Sequence, residues 1–128
     1  MKNIKALDEF KQGKNNRGFV SSSFISEFGN NEIEKGSVIP FQILKKMMTD
    51  SEIIKELGVK ECTLGDVLET LKSAPKEIKD GYWNIFYIKG HSRVVSVYWF
   101  SSSWHVSTWR RGGRWGEGSR VFLPQMKF

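Results

Sequence analysis

The sequence contains little cysteine, histidine or proline: one cysteine, two histidines and three prolines in 128 residues. A single cysteine, Cys62, excludes an internal disulfide and a cysteine-rich metal site, as is typical of a reducing compartment. The longest nearly apolar run, Val94 to Phe100, is too short to span a membrane. The first ten residues include acids and lack the apolar core of a signal peptide. We therefore expect a cytoplasmic protein with no membrane partner.

The scarcity of histidine also argues against catalysis. His91 falls at a predicted turn and His105 on a predicted strand, so the two are not expected to meet, and Cys62 does not complete a zinc site with them. The best acid–base pair that the chain offers is His105 with Glu117. We predict that the protein is not an enzyme and has no catalytic residue, no metal site and no cofactor.

The remaining composition is that of a folded protein, since 39% of the residues are hydrophobic and 13% are aromatic. We expect a single domain over residues 1–128, mainly helical over 1–80 and an antiparallel sheet over 81–128. The predicted fold class is α+β, with the N-terminal helices packed on one face of a C-terminal antiparallel meander of three to four strands.

One predicted helix in the first half starts at a proline. Pro40 suits the first position of a helix, where its missing N–H has no partner and its φ is already helical. Phe41, Leu44, Met47 and Met48 would then share one face of that helix.

Two further helices are marked by capping boxes. Thr49 with Glu52, and Thr63 with Asp66, have the spacing at which each side chain binds the other residue's backbone N–H. The second box precedes an apolar stripe at helical spacing over residues 64–71.

The second half has the β-branched and aromatic composition of strands, which we predict at Tyr82–Lys89, Ser92–Phe100, Trp104–Arg110 and Arg120–Leu123. Tight turns at Gly90–His91 and Ser101–Ser102 would place Phe86 opposite Val95 and Trp99 opposite Trp104. Residues directly opposite in an antiparallel pair point to the same face. The predicted core face, covered by the 64–71 helix, therefore consists of Phe86, Val95, Val97, Trp99, Trp104 and Val106.

The opposite face, which we call the outer face, mixes aromatic and polar side chains: Trp83, Ile85, Tyr87, Lys89, Val94, Ser96, Tyr98, His105, Ser107 and Trp109. Aromatic sheet surfaces of this kind stack on single-stranded bases. The alternative is that residues 1–28 cover this face with Phe10, Phe19 and Phe24, because a small domain rarely leaves so many rings exposed.

An arginine cluster adjoins these rings. All five tryptophans lie within residues 83–115, and the glycine-rich segment 110–119 follows directly. The net charge of +6 is concentrated at the two ends of the chain, which fits contact with nucleic acid or with an acidic protein surface. The candidate binding residues are Trp83, Tyr87, Lys89, Tyr98, His105, Trp109, Arg110, Arg111, Arg114, Trp115 and Arg120.

The sequence thus favours a binding module with a basic aromatic surface, for RNA or single-stranded DNA. The alternative is a protein–protein interaction module or a small homo-oligomer that uses the same aromatic face. The pattern does not determine the oligomeric state.

The end of the chain has one recognisable pattern. Trp104-x-Val106 is followed by Arg114-Trp115-Gly-x-Gly-x-Arg120-Val121-Phe122. This resembles small uncharacterised bacterial proteins in which a Trp-rich C-terminal hairpin ends in an Arg-Val-Phe strand. The resemblance covers the last third of the chain and implies a compact domain, without implying an activity, a substrate or a site.

Overall fold

A computed structural model describes residues 4–11, 17–74 and 78–124, which contain four helices and eight strands. The helices are α1 (Ala6–Glu9), α2 (Ser22–Phe28), α3 (Asp50–Leu57) and α4 (Leu64–Lys72). The strands are β1 (Arg17–Val20), β2 (Phe41–Ile43), β3 (Met48–Thr49), β4 (Asn84–Tyr87), β5 (Arg93–Phe100), β6 (Ser103–Arg110), β7 (Arg114–Trp115) and β8 (Arg120–Phe122).

Six of these strands form one mixed sheet, in the order β1-β6-β5-β4-β8-β2. β1 is parallel to β6 and β4 is parallel to β8, whereas the other neighbours are antiparallel. The α+β class is right, but the predicted antiparallel meander of three to four strands is wrong. β1 and β2 come from the half of the chain that was expected to be mainly helical. Parallel pairs join segments that are distant in sequence, so a local residue pattern does not predict them.

β2 lies where the sequence predicts a helix starting at Pro40, so that prediction is wrong. Phe41 pairs with Phe122 across the strands, and their ring centroids are 5.3 Å apart. The Pro40 carbonyl accepts a hydrogen bond of 2.8 Å from the backbone N–H of Leu123. A proline beside an edge strand needs no N–H partner, just as at the start of a helix. The proline is compatible with both structures, and the pairing with β8 stabilises the strand.

Both capping boxes are confirmed. Thr49 and Glu52 exchange hydrogen bonds of 3.0 and 3.2 Å at the start of α3, and Thr63 and Asp66 do the same at the start of α4. α3 ends at Gly58, whose φ of 62° is left-handed and therefore favours glycine.

The predicted register of the strands is confirmed. Phe86 lies opposite Val95, and Trp99 lies opposite Trp104 at a centroid distance of 5.0 Å. Ser101 and Ser102 form the turn between β5 and β6, with both residues at positive φ. The other turn is closed by a bond from the His91 N–H to the Ile88 carbonyl, so its central residues lie one position earlier than predicted.

The helix-side core, formed by one face of the sheet with α1, α2 and α4, contains the predicted core residues. Phe86, Val97 and Val106 are fully buried there, and the apolar stripe of α4 packs against them. α3 does not join them, because Ile53 lies in a second core on the outer face. The prediction that the helices occupy one face of the sheet is therefore wrong, and α3 determines how much of the outer face is exposed.

Candidate binding surface on the outer face

The outer face is divided into a covered half and an exposed half. Ile85 and Val94 in the covered half are fully buried beneath a layer that includes Ile53 of α3 and Trp115 of β7. The alternative in which residues 1–28 cover this face is wrong for the rings of Phe10 and Phe24. Phe10 and Phe24 belong to the helix-side core, while Phe19 is on the outer face and exposed.

A buried carboxylate holds the covering layer together. Asp50 is 2% exposed, and its Oδ1 accepts hydrogen bonds from the Tyr87 hydroxyl at 2.6 Å and from Trp115 Nε1 at 2.8 Å. Its Oδ2 accepts from the backbone N–H groups of Gly112 and Gly113 at 2.9 and 3.2 Å. Burial, reinforced by the bond to Asp50, raises the pKa of Tyr87 well above its usual range.

Tyr87 and Trp115 are therefore parts of the covering layer, and both side chains are buried, although Trp115 still lines a cavity described below. Tyr87 is 1% exposed and Trp115 is 7% exposed. Their polar atoms are already hydrogen-bonded to Asp50. Tyr87 was a candidate binding residue because side-chain alternation along a strand cannot show what covers a face, and Trp115 was one because it lies in the glycine-rich segment beside the arginines.

The arginines of the candidate site separate into two groups. Arg111 donates to Glu61 at 2.6 Å and to the His91 carbonyl at 3.1 Å, and Arg120 is buried against Asp80. The bond from Arg120 holds the pKa of the Asp80 carboxyl below its usual range. These two arginines link segments of the fold to one another.

Arg110 and Arg114 form the exposed group, together with Lys89 in the loop after β4. Arg110 ends β6, and Arg114 begins β7, where it pairs with Thr49. Their guanidinium groups provide donors that a phosphate or a base edge accepts in a bidentate manner.

The exposed half of the outer face carries a continuous row of rings, which we call the aromatic strip: Phe19, Phe100, His105, Tyr98, Trp83 and Trp109. His105 stacks on Tyr98 at a centroid distance of 5.0 Å with an interplanar angle of 20°. Phe19 and Phe100 lie 6.3 and 5.7 Å from the same imidazole. Trp83 continues the row, 4.6 Å from Tyr98 and 6.5 Å from Trp109.

Rings at both ends of the aromatic strip are open to solvent. The exposed fractions are 52% for Phe19, 61% for Phe100 and 49% for Trp109. Trp109 is nonetheless fixed, because its Nε1 donates a 2.7 Å hydrogen bond to Ser96 Oγ. Trp109 is therefore an exposed ring whose position is already set by a bond to the sheet.

The chain was compared with protein-family models, with curated proteins and with solved structures. None of them matches. The function is therefore inferred from the geometry of the exposed residues.

A cavity lies at the tryptophan end of the aromatic strip. We call it the tryptophan socket; its volume is about 310 Å³, and it is lined by Trp83, Trp109, Trp115, Arg110, Arg114, Gly113 and Gly116. Trp83 is roughly perpendicular to Trp109 and Trp115, with interplanar angles of 85° and 70°. Five of the candidate residues thus meet at one place.

The two histidines have different surroundings: His91 Nδ1 lies 3.4 Å from Glu27 Oε1, and its Nε2 lies 3.0 Å from Asn31 Nδ2. His105 contacts aromatic rings and lies 3.5 Å from Ser103 Oγ, and within the described residues it has no recorded bond to Glu117. Burial raises the pKa of the Cys62 thiol to about 12, so the nucleophilic thiolate does not form near neutral pH. Residues 4–11, 17–74 and 78–124 contain no group of three or more metal-ligating side chains, and no helix among them is long and apolar enough to cross a membrane.

Two residues of the aromatic strip were missing from the candidate binding residues. Phe100 follows the same alternation as Tyr98, so the predicted strand register already placed it on the outer face. Phe19 had no such signal, because β1 joins β6 in parallel with an irregular register. Its position depends on a long-range pairing.

Proposed function

We propose that the protein binds single-stranded nucleic acid through the aromatic strip, with Arg110 and Arg114 contacting phosphates at one end. The observation that carries this proposal is a continuous row of rings that is exposed at both ends, at Phe19 and Phe100 and at Trp109. Aromatic side chains that serve only packing are mostly buried, whereas a contiguous exposed apolar patch is typical of a binding surface. Bases in a duplex are stacked on one another, so their faces reach such a row of rings only in a single strand.

The charge distribution supports the same ligand. The whole chain carries a net charge of +6. Arg110 and Arg114 are exposed beside Trp109. Stacking provides most of the affinity on such a surface, and the arginines add a contribution that depends on salt.

We expect alanine at Trp109 to weaken the binding of an oligothymidine decamer by about 5- to 150-fold, because stacking contributes about 1–3 kcal/mol per base. Fluorescence anisotropy of a labelled decamer measures this change. The matched control is Tyr82→Ala, since Tyr82 is also half exposed but lies against Gly118. Equal loss in the two variants, or no loss at Trp109, would contradict the proposal.

The salt dependence of the binding affinity tests the contribution of the two arginines separately from that of stacking. Two phosphate contacts in a single strand predict a slope of about −1.4 for the logarithm of the association constant against that of the salt concentration. Replacing Arg110 and Arg114 with glutamine should bring the slope close to zero, while stacking on Trp109 persists.

The alternative, a protein-interaction module, uses the same exposed rings. The same protein variants distinguish it from nucleic-acid binding. Self-association in sedimentation that Trp109→Ala abolishes, with no binding of single-stranded DNA or RNA at low salt, would assign the aromatic strip to contact between copies of the chain.

A further inference from the structure

The tryptophan socket has fixed walls. The indole N–H of Trp109 donates to Ser96 at 2.7 Å, and that of Trp115 donates to the buried carboxylate of Asp50 at 2.8 Å. Trp83 packs edge-on between these two rings, at 6.5 and 6.0 Å. The rings are thus held in place by bonds to the sheet and to α3.

The size of the tryptophan socket suits one planar group. A volume of about 310 Å³ lies at the lower end of the range for small-molecule pockets, roughly 300–1,000 Å³. Gly113 and Gly116 in its wall leave the space beside their backbones empty, since an added Cβ would meet nothing within 4 Å at either. A single base fits such a space better than a stacked pair of bases.

The polar side chains that line the tryptophan socket are hydrogen-bond donors only. Indole and guanidinium nitrogens donate hydrogen bonds and do not accept them, and the lining contains no acidic side chain. Trp109 and Trp115 already use their donors within the fold. The side chains available to a ligand there include the guanidinium groups of Arg110 and Arg114, which require acceptors.

We propose that the tryptophan socket binds one unstacked guanine base of the single strand, an assignment that rests on the proposed function. Guanine presents two adjacent acceptors, O6 and N7, which match the two parallel donors of a guanidinium group. At the same edge adenine presents one acceptor and one donor, and its donor would face a donor of the guanidinium group. The protein therefore prefers strands that contain guanine.

The test compares an oligothymidine decamer with the same decamer carrying one central guanine, by anisotropy. We expect the wild-type protein to bind the guanine decamer about 10-fold more tightly, since a bidentate base contact discriminates by about 1–3 kcal/mol. Equal affinity for the two decamers overturns the proposal.

Gly116→Leu adds a side chain at the wall of the tryptophan socket, at a position where an added Cβ meets nothing within 4 Å and φ is not positive. It should remove the preference for guanine and leave most of the affinity for oligothymidine. A preference that persists in this variant overturns the proposal. Thermal unfolding checks that the variant folds, and Gly113→Leu repeats the experiment from a second position.

Replacing both Arg110 and Arg114 with lysine separates base recognition from charge. Lysine keeps the positive charge but lacks the parallel pair of donors. We expect the double variant to bind both decamers with equal affinity and to keep the wild-type salt slope on oligothymidine, where both arginines of the wild type contact phosphates. On the guanine decamer, one of the two wild-type arginines contacts the base instead. A retained guanine preference would show that the arginines do not recognise the base.

The two proposals fail in different ways. If both decamers bind equally and Gly116→Leu changes neither affinity, the tryptophan socket does not bind a base, while the proposed function stands. If neither decamer binds, the proposed function fails, and guanosine monophosphate then tests the tryptophan socket alone. Quenching of tryptophan fluorescence by that nucleotide, abolished by Gly116→Leu, would support the guanine site, and its absence would overturn both proposals.

Discussion

Alanine in place of Asp50 is expected to lower the free energy of unfolding by about 3–5 kcal/mol. The buried carboxylate accepts four hydrogen bonds, from Tyr87, Trp115, Gly112 and Gly113. Removing it leaves the buried Tyr87 hydroxyl and the buried Trp115 indole N–H without their acceptor, whereas Gly112 and Gly113 are exposed and their N–H groups can bond to water. Each unsatisfied buried group costs about 1–3 kcal/mol, and relaxation of the glycine segment reduces the total.

Urea unfolding followed by circular dichroism measures the change. Tyr87→Phe removes one of the four donors and should cost about 1–2 kcal/mol. Asp8→Ala, at an exposed acid of α1, provides the matched control and should stay within about 0.5 kcal/mol of the wild type. If Asp50→Ala is as stable as that control, the carboxylate does not hold the covering layer.

Alanine at Gly65 is expected to destabilise the fold by about 3 kcal/mol, although alanine favours a helix by about 1 kcal/mol over glycine. A Cβ at this position would lie 1.9 Å from the Glu34 carbonyl oxygen and 2.9 Å from the Gly36 nitrogen. Gly36 has the reciprocal contact, with its added Cβ 2.0 Å from the carbonyl carbon of Gly65. Both obstacles are backbone atoms, so the segment before β2 would have to move away from α4.

Chemical denaturation of Gly65→Ala beside Gly116→Ala tests this close approach. At Gly116 the added methyl group meets nothing within 4 Å, so its effect should stay within about 0.5 kcal/mol. A Gly65→Ala protein that is more stable than the wild type would mean that helix propensity outweighs the backbone contact.

Local signals in the sequence predicted the local parts of the fold. The capping boxes at Thr49 and Thr63 determine where α3 and α4 begin, because each box needs only residues three positions apart. The Ser101–Ser102 turn and side-chain alternation were likewise sufficient to pair Trp99 with Trp104. Such contacts lie within a few residues of a turn or of a helix start.

Contacts between segments that are distant in sequence were not predicted. β1 pairs with β6, and β2 pairs with β8, although the paired strands are far apart in sequence. The residue pattern of one strand does not identify its partner. Asp50 has the sequence position of an ordinary acid in the first turn of a helix, yet it binds residues more than 30 positions away. The sequence therefore predicted which residues share the outer face of the sheet. It did not predict that half of this face is covered.

The five indole N–H signals in a nitrogen–proton correlation spectrum test most directly whether the exposed half of the outer face is the binding surface. Single tryptophan-to-phenylalanine variants assign the signals. Adding an oligothymidine decamer at low salt should shift the signals of Trp83 and Trp109 and leave that of Trp104, which is buried in the helix-side core, unchanged. A spectrum in which Trp83 and Trp109 do not move, at saturating oligonucleotide, would contradict the proposed binding surface.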